Sequence, residues 1–454
     1  MILEQYQLGC LSISSYLVGD ETTGKAVVVD PQRDIQIYLD TAKEKGLTIE
    51  QVILTHFHAD YVSGHLELAK ATGAEICFGP TAEAEFEIRN LSDNERIVLG
   101  DTVLEIWATP GHTPESISIL LFEHADDSAP MSLLSGDAIF VGDVGRPDLL
   151  ASIGFTAEEL GRQLYDSTRR LCTLPSDTRV YPNHGAGSSC GKQLGSAPFT
   201  TIGEELRTNY ALQPMEPDEF VALVTEGQNA APNYFLHDAI TNRKHHGVFD
   251  ENRVVDVLTI DAAKVLAEAG AVVVDTRSPE DFAAGHLSGA INVDLDGRFA
   301  EQTGMVVGGD SDIIVAGAKG SGQEAMVRLG RIGFDNVVGS IDDYVSELEA
   351  NPENRVTGER ISVGALPPAG EVQLIDVRNP GETSLGFIAD AHLIPLGALP
   401  NRTSELDPKQ PTVIYCATGG RSSIAASWLR TQGFGDVVDV RGGYEEWSKE
   451  PADA

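Results

Sequence analysis

Two short stretches of this chain gather residue types that do chemistry when they stand close together. The first is Gln51-Val-Ile-Leu-Thr-His-Phe-His-Ala-Asp60-Tyr-Val-Ser-Gly-His65. Its apolar run, Val52 to Leu54, reads as a buried strand that ends abruptly in His56, His58 and Asp60. Side chains two apart on extended backbone share a face, so the two imidazoles would lie together. Imidazoles and a carboxylate at the mouth of a strand form a ligand set for a metal ion. A pair of surface histidines is the plainer alternative, but His112, Asp137 and His184 recur where later strands should end. The second stretch is Val413-Ile-Tyr-Cys416-Ala-Thr-Gly-Gly-Arg421, which runs from a buried strand through a glycine-rich loop toward a helix. A thiol there faces successive backbone N–H groups, Gly419 and Gly420 among them, and the positive end of a helix dipole. With Arg421 nearby, these favour the thiolate, so Cys416 reads as a nucleophile. Free cysteines are more often inert core residues. For that to hold here, the glycines, the arginine and the helix start would have to coincide by chance.

The elements that must hold these residues follow from the hydrophobic pattern. Residues 1 to about 245 alternate strand-like runs (26–30, 51–54, 97–107, 117–122, 131–137) with helical ones such as 36–45, which predicts two sheets covered by helices. His112 sits in the Pro-Gly turn Thr109-Pro-Gly-His-Thr113, and His184 in the similar turn Tyr181-Pro-Asn-His-Gly185. Residues 197–250 read as helical with irregular links, and Asn242-Arg-Lys-His-His-Gly247 as the exit from this domain, its histidines solvated. Beyond it the chain repeats itself. Val272-Val-Val-Asp275-Thr-Arg matches Leu374-Ile-Asp376-Val-Arg at an offset of 101, and Gly333-Phe334 matches Gly433-Phe434 at an offset of 100. Two α/β domains are predicted, at 250–350 and 360–454, joined by the linker Asn351-Pro-Glu-Asn-Arg355. In the first copy Ala316 stands at the position of Cys416 and Ser321 at that of Arg421, so this copy cannot carry a group covalently.

Composition narrows the partners. The 454 residues carry 69 Asp and Glu against 32 Lys and Arg, a net charge of −37, which argues against nucleic acid and anionic membranes. No apolar run reaches membrane-spanning length, the N-terminus lacks a signal-peptide pattern, and the five scattered cysteines suit a reducing cytoplasm. An anionic substrate must enter against the overall field, so a local arginine is wanted. Arg146, in Gly142-Asp-Val-Gly-Arg146-Pro-Asp148, is placed for substrate binding or equally for an ion pair with Asp143 or Asp148. Cys190 lies on a glycine-rich loop six residues past His184.

The first pattern resembles the metallo-β-lactamase superfamily, whose motif is His-x-His-x-Asp-His, with Tyr61 standing where the last His belongs. That resemblance implies an αββα sandwich. Most of 360–454, including Arg441-Gly-Gly-Tyr-Glu-Glu-Trp447, is similar to a rhodanese sulfurtransferase domain, and 250–350 to a rhodanese-like domain without its cysteine. Tyrosine phosphatases place five residues between Cys and Arg; the four here (417–420) form a tighter cradle, suited to one sulfur atom carried as a persulfide. Binuclear zinc hydrolases of the superfamily need the His that Tyr61 replaces. His56, His112 and Asp137 then remain, two imidazoles and one carboxylate, the facial triad of mononuclear non-haem Fe(II) oxygenases. The superfamily's persulfide dioxygenases use iron on these positions, so the resemblance implies one Fe(II) per chain, with His58, Asp60 and His184 standing behind the ligands. It also implies that Arg146 helps hold the thiol substrate and that Cys190 gates or relays sulfur near the iron.

The whole order resembles fusions of a persulfide dioxygenase with two rhodanese-like domains. Such a protein takes a small-molecule persulfide, dioxygen and sulfite as partners and yields sulfite and thiosulfate in sulfide detoxification. By the same analogy it is a homo-oligomer, a dimer or a tetramer. Two alternatives stay open: a zinc-dependent thioester hydrolase with an appended sulfurtransferase, and a sulfur carrier whose metal domain is not catalytic.

Overall fold

A computed structural model describes residues 1–149, 154–228, 231–368 and 370–449. The alternation of side chains along the strands sets the architecture. In the strand Thr48–Ile53, Val52 points to a core shared with the helix residues Tyr38 and Leu68, while Ile53 points the other way, to a core shared with Val29 and Leu134. Each fully buried side chain of this kind contributes about 1.5–3 kcal/mol. A strand apolar on both faces must lie inside layers, and it does. It is the fourth in a six-stranded sheet ordered Ile2–Leu8, Ile13–Gly19, Lys25–Val29, Thr48–Ile53, Glu75–Phe78, Arg89–Asn90. A second six-stranded sheet runs Thr200–Thr201, Arg179–Pro182, Ser132–Gly136, Ile117–Phe122, Val103–Ala108, Arg96–Val98. The sheets share an apolar core that includes Tyr16, Ile53, Ile106 and Ile119. Helices Gln36–Lys45 and His65–Thr72 cover the outer face of one, and Ala157–Leu171 and Pro217–Thr225 that of the other. This is the αββα sandwich.

The long helix Ala157–Leu171 is strongly specified by its sequence: Thr156 and Glu159 form a reciprocal capping box, acids occupy its first turn and arginines its last. Gly111 packs directly on it. A Cβ at Gly111 would lie 2.4 Å from the backbone of Leu164, so only glycine lets the turn that carries His112 sit this close.

The chain divides into two compact units, Met1–Gln228 with Leu236–Asp250, and Asn229–Phe235 with Glu251–Ala454. The first unit runs past the exit expected near residue 245, because Arg33 holds the Gly247 carbonyl and Phe249 N–H donates to Glu67. The second unit contains two parallel sheets. One is ordered Ile291–Asn292, Val272–Asp275, Ile313–Ala316, Val337–Ile341; the other Arg360–Ile361, Val437–Val440, Thr412–Tyr415, Gln373–Asp376, His392–Leu393. The repeat is wired in duplicate. Arg277 clamps Asp275 and donates to the Gly285 carbonyl over the Tyr344 ring, as Arg378 clamps Asp376 and donates to the Gly386 carbonyl over the Tyr444 ring. The expected linker at 351–355 is structured: Pro352–Asn354 makes a helical turn and Arg355–Val356 pairs with His286–Leu287. No helix among the described residues is long and apolar enough to cross a membrane.

Candidate metal centre and thiol loop

After the strand Thr48–Ile53 the chain bends, so residues 54–64 form a loop rather than the extended continuation expected. His56 and His58 still meet, with ring centroids 4.1 Å apart, because Phe57 between them turns into the core against Phe78. His112 arrives from its Pro-Gly turn, Asp137 from the end of Ser132–Gly136, and His184 from just beyond Arg179–Pro182. His112 Nε2 lies 3.3 Å and His56 Nε2 3.9 Å from Asp137 Oδ2. Ligand atoms of these three residues all fall within 4.8 Å of one another, and all three are buried.

The surrounding hydrogen bonds aim these atoms. His112 Nδ1 donates to the Arg146 carbonyl at 2.8 Å, which leaves the Nε2 lone pair facing Asp137. His56 Nδ1 lies 3.0 Å from Thr55 Oγ1, whose own hydroxyl donates to Asp30 at 2.9 Å, so His56 Nε2 also presents a lone pair. His56 Nε2, both Asp137 oxygens, His184 Nε2 and both Asp60 oxygens find no hydrogen-bond partner within the protein. Two lone pairs and a carboxylate turned on one another in a buried space repel, and orphaned polar atoms there are costly. A cation among them satisfies every one, so the residues fit a metal. The charges agree. Burial raises the Asp137 pKa, but His184, His112 and His56 more than offset that and hold it well below the usual carboxylate range. Burial drives His56 well below its ordinary value, whereas for His184 the attraction of Asp137 and Asp60 outweighs burial and raises it.

Two placements bear on the expected ligand set, and a third decides between the two roles open to Arg146. Tyr61, in the place of the motif's last His, donates to the Asp30 carbonyl at 3.1 Å and leans on the His58 ring. Its loss of a ligand does not leave three ligands alone, however, because Cys190 comes in from the 184–193 loop. Asp60, His184 and Cys190 form a second buried group whose ligand atoms lie within 4.8 Å of one another. Asp60 and His184 are therefore candidate ligands rather than supports, and His184 Nε2 bridges the groups at 3.3 Å from Asp137 and 3.6 Å from Asp60. The Cys190 thiol is pushed up to about 12, first by burial and then by Asp60. His58, by contrast, stays outside both groups, its Nε2 bound to Asp30 at 2.9 Å. Arg146 is the third. Its guanidinium is committed to Asp148 by two contacts of 2.7 Å and reaches the Ser189 carbonyl, so the ion-pair role is the one the structure contains. Through its own carbonyl it orients His112 instead. Gly145 beside it is obligatory: a Cβ there would come within 2.1 Å of the Asp137 carbonyl.

In the second unit Cys416 lies at the end of the strand Thr412–Tyr415, 1% exposed, before the helix Gly420–Thr431. Gly419 N–H donates to its Sγ at 3.1 Å, and Ser422 Oγ lies 3.7 Å away. Gly419 has φ +103°, a conformation that favours glycine, and this is what turns its amide onto the sulfur. Gly420 opens the helix beside it. Arg421 makes two contacts of 2.6 and 2.7 Å to Glu382, a residue the sequence reading passed over. Burial raises the Glu382 pKa, but the bond from Arg421 reverses this and holds it below the ordinary value. The one signal for Glu382 was its place in Asn379-Pro-Gly-Glu382, where it closes a capping box with Asn379. In the first repeat Ala316 ends its strand as Tyr415 does in the second, and Ser321 opens its helix as Gly420 does. Gly317 and Gly322, rather than the expected Ala316 and Ser321, therefore stand at the positions of Cys416 and Arg421, and neither supplies a thiol or a cation.

Comparison with known proteins follows this division. The family described as "Metallo-beta-lactamase superfamily" matches residues 8–184, and "Rhodanese-like domain" matches 259–347 and 363–450. The chain is similar to "Persulfide dioxygenase ETHE1, mitochondrial" of Homo sapiens, 30% identical over 217 residues, 46% of this chain and 75% of that protein. It is similar to "Hydroxyacylglutathione hydrolase" of Ectopseudomonas mendocina (strain ymp), 29% identical over 235 residues, 50% of this chain and 79% of that protein. Among solved structures, a metallo-beta-lactamase from Staphylococcus aureus subsp. aureus COL superposes with a TM-score of 0.68 at 34% identity. The match covers 75% of this chain and 98% of that one.

Proposed function

Because the chain belongs to the metallo-β-lactamase superfamily and carries two rhodanese-like domains behind that fold, we propose that it is a non-haem Fe(II) persulfide dioxygenase coupled to a sulfurtransferase. The observation that carries this reading is the pairing within one chain of a buried two-His, one-carboxylate set with a loop-held thiol. A ferrous ion on His56, His112 and Asp137 would supply dioxygen activation and an anchoring point for the outer sulfur of a low-molecular-weight persulfide. The net reaction, persulfide plus dioxygen and water to thiol and sulfite with release of protons, moves four electrons from the outer sulfur to oxygen. The chain's own residues fix the geometry of that step. Thr55 and the Arg146 carbonyl lock the rings of His56 and His112, and the walls around them exclude bulk water. Cys190 stands where it can gate sulfur at this centre.

Cys416 then accepts sulfur. Its thiolate attacks the outer sulfur of a second persulfide, the S–S bond breaks, the thiol leaves, and Cys416 holds the sulfur with Gly419 N–H beside it. Sulfite attacks that outer sulfur, releasing thiosulfate and restoring the Cys416 thiolate. This setting, with small-molecule persulfide, dioxygen and sulfite as the only partners invoked, suits sulfide detoxification in a reducing cytoplasm.

A second reading rests on a specific observation. Asp60, His184 and Cys190 offer ligands for another cation next to the first, which favours a binuclear zinc hydrolase acting on thioesters, as does the similarity to hydroxyacylglutathione hydrolases. Metal analysis of protein purified without oxygen separates the two. One iron per chain, lost together with dioxygen uptake in His56→Ala, is the expected result. Two zinc ions per chain with thioester hydrolysis and no dioxygen uptake would replace the proposal with the second reading.

A further inference from the structure

The second unit contains a cavity of about 300 Å³ that the sulfur chemistry above leaves without a role. Part of the lining is the thiol loop itself, Thr418, Gly419 and Gly420, and the Gly419 N–H is the donor that holds the Cys416 sulfur. Another part comes from the repeat that lacks the cysteine: Glu280, Asp294 and Gln302. The two parts are locked together. Asn292 of the silent repeat accepts from Ser423 Oγ at 2.7 Å, and its N–H donates to Ser427 Oγ at 3.0 Å, both on the helix that follows the thiol loop. Glu280 bridges to Arg360 at 2.7 Å, and Arg360 in turn donates to the Gly419 carbonyl at 2.8 Å.

The lining carries charge of both signs. Asp294 has no cationic partner among the described residues; one of its oxygens takes the Asp296 N–H and the carboxylate is otherwise uncommitted. The Gln302 side chain makes no hydrogen bond among the described residues. Arg441, also on the lining, touches Glu280 at 3.3 Å and remains 54% exposed. A free carboxylate, a free amide and a half-exposed guanidinium on one lining match a ligand that carries both an ammonium and a carboxylate. The charge of the whole chain points the same way. At −37, it repels a polyanionic thiol carrier much more than an amino-acid body whose ammonium and carboxylate cancel. A pocket of this size is at the small end of ligand sites, suited to an amino-acid-sized body.

We infer that the silent repeat is the recognition half of the sulfur-transfer site, and that the cavity seats the organic body of an amino-acid-type persulfide whose outer sulfur passes to Cys416. The ammonium lies against Asp294 and Gln302, and the carboxylate against Arg441. This rests on the reading of Cys416 as a sulfur carrier.

The test is sulfur loading of Cys416, followed by mass spectrometry of the full chain under anaerobic conditions so that no persulfide is oxidised. Three donors are compared: cysteine persulfide, N-acetylcysteine persulfide, which lacks the ammonium, and thiosulfate. The wild type is expected to load from cysteine persulfide about tenfold faster than from its N-acetyl analogue, the ratio one charge-assisted contact supports. Asp294→Asn is expected to abolish most of that preference, with thiosulfate loading reporting that the thiol loop is intact. Should Asp294→Asn fail to fold, Gln302→Leu takes its place, with a smaller loss of preference in the same direction. Equal loading from the two persulfides in the wild type, or a preference that survives both substitutions, overturns the inference and leaves Cys416 a sulfur carrier. Failure of all three donors to load the wild type overturns the carrier reading itself.

Discussion

Asp30 accepts four hydrogen bonds inside the sandwich: from Thr55 N–H at 2.8 Å, Thr55 Oγ1 at 2.9 Å, His58 Nε2 at 2.9 Å and Asn183 Nδ2 at 2.7 Å. Through Thr55 it holds His56, through Asn183 it reaches the residue before His184, and its own backbone sits at φ +51°. Truncation to alanine takes the acceptor from all four buried donors at once. Asp30→Ala should therefore cost about 3–5 kcal/mol of stability and weaken metal binding about 10- to 100-fold. Chemical denaturation and metal titration check both; unchanged metal affinity would mean that the ligands hold their own orientation. The ligands themselves were legible in the sequence because histidine and aspartate stand out at strand ends. Asp30 was visible only as the end of a strand, since its partners come from positions 55, 58 and 183 and meet it only in the folded sheet. Cys190 could be suspected from its loop, but its place beside Asp60 could not. That depends on how the 184–193 segment folds back.

At the scale of elements, period-two alternation and the turn residues were enough to foresee two sheets with helices outside, and the offset of about 100 residues foresaw the paired parallel sheets. What the pattern could not show was the break in the strand before His56 or the pairing of Arg355–Val356 with His286–Leu287, because both depend on long-range contacts. That pairing buries His286, which stacks on Phe282 with centroids 3.7 Å apart and donates from Nδ1 to the Phe282 carbonyl. Burial lowers its pKa to about 4. The sign follows directly. The unfolded chain takes up a proton near pH 6.5, whereas the folded imidazole stays neutral down to about 4, so stability is full above 6.5 and drains away between 6.5 and 4. The loss from this residue is about 3 kcal/mol over that range. Melting temperature should therefore fall less between pH 7 and pH 5 in His286→Asn than in the wild type. Parallel curves would show that the histidine is not held neutral.

For the molecule as a whole, 69 acids against 32 Lys and Arg make self-repulsion a standing cost of the compact state. Screening length falls from roughly 30 Å at 0.01 M salt to roughly 3 Å at 1 M. The melting temperature should accordingly rise by several degrees between those conditions. A fall would mean that the surface ion pairs outweigh the repulsion. The same charge bears on function, since a substrate with fewer negative charges approaches this surface at lower cost. Charge and repeat were both plain in the sequence; the silent repeat's share in the thiol cavity was not, because no motif marks Asp294 or Gln302.

Under the proposed function, an oxygen-consuming metal site and a sulfur-carrying thiol act within one chain. An oxygen electrode trace with a defined persulfide, followed by separate quantitation of sulfite and thiosulfate, tests it in wild type and in Cys416→Ser. One dioxygen consumed per sulfite formed is expected in both proteins, with thiosulfate accumulating in the wild type and sulfite replacing it in the variant. Full thiosulfate yield from Cys416→Ser, or no dioxygen uptake by the wild type, would contradict it.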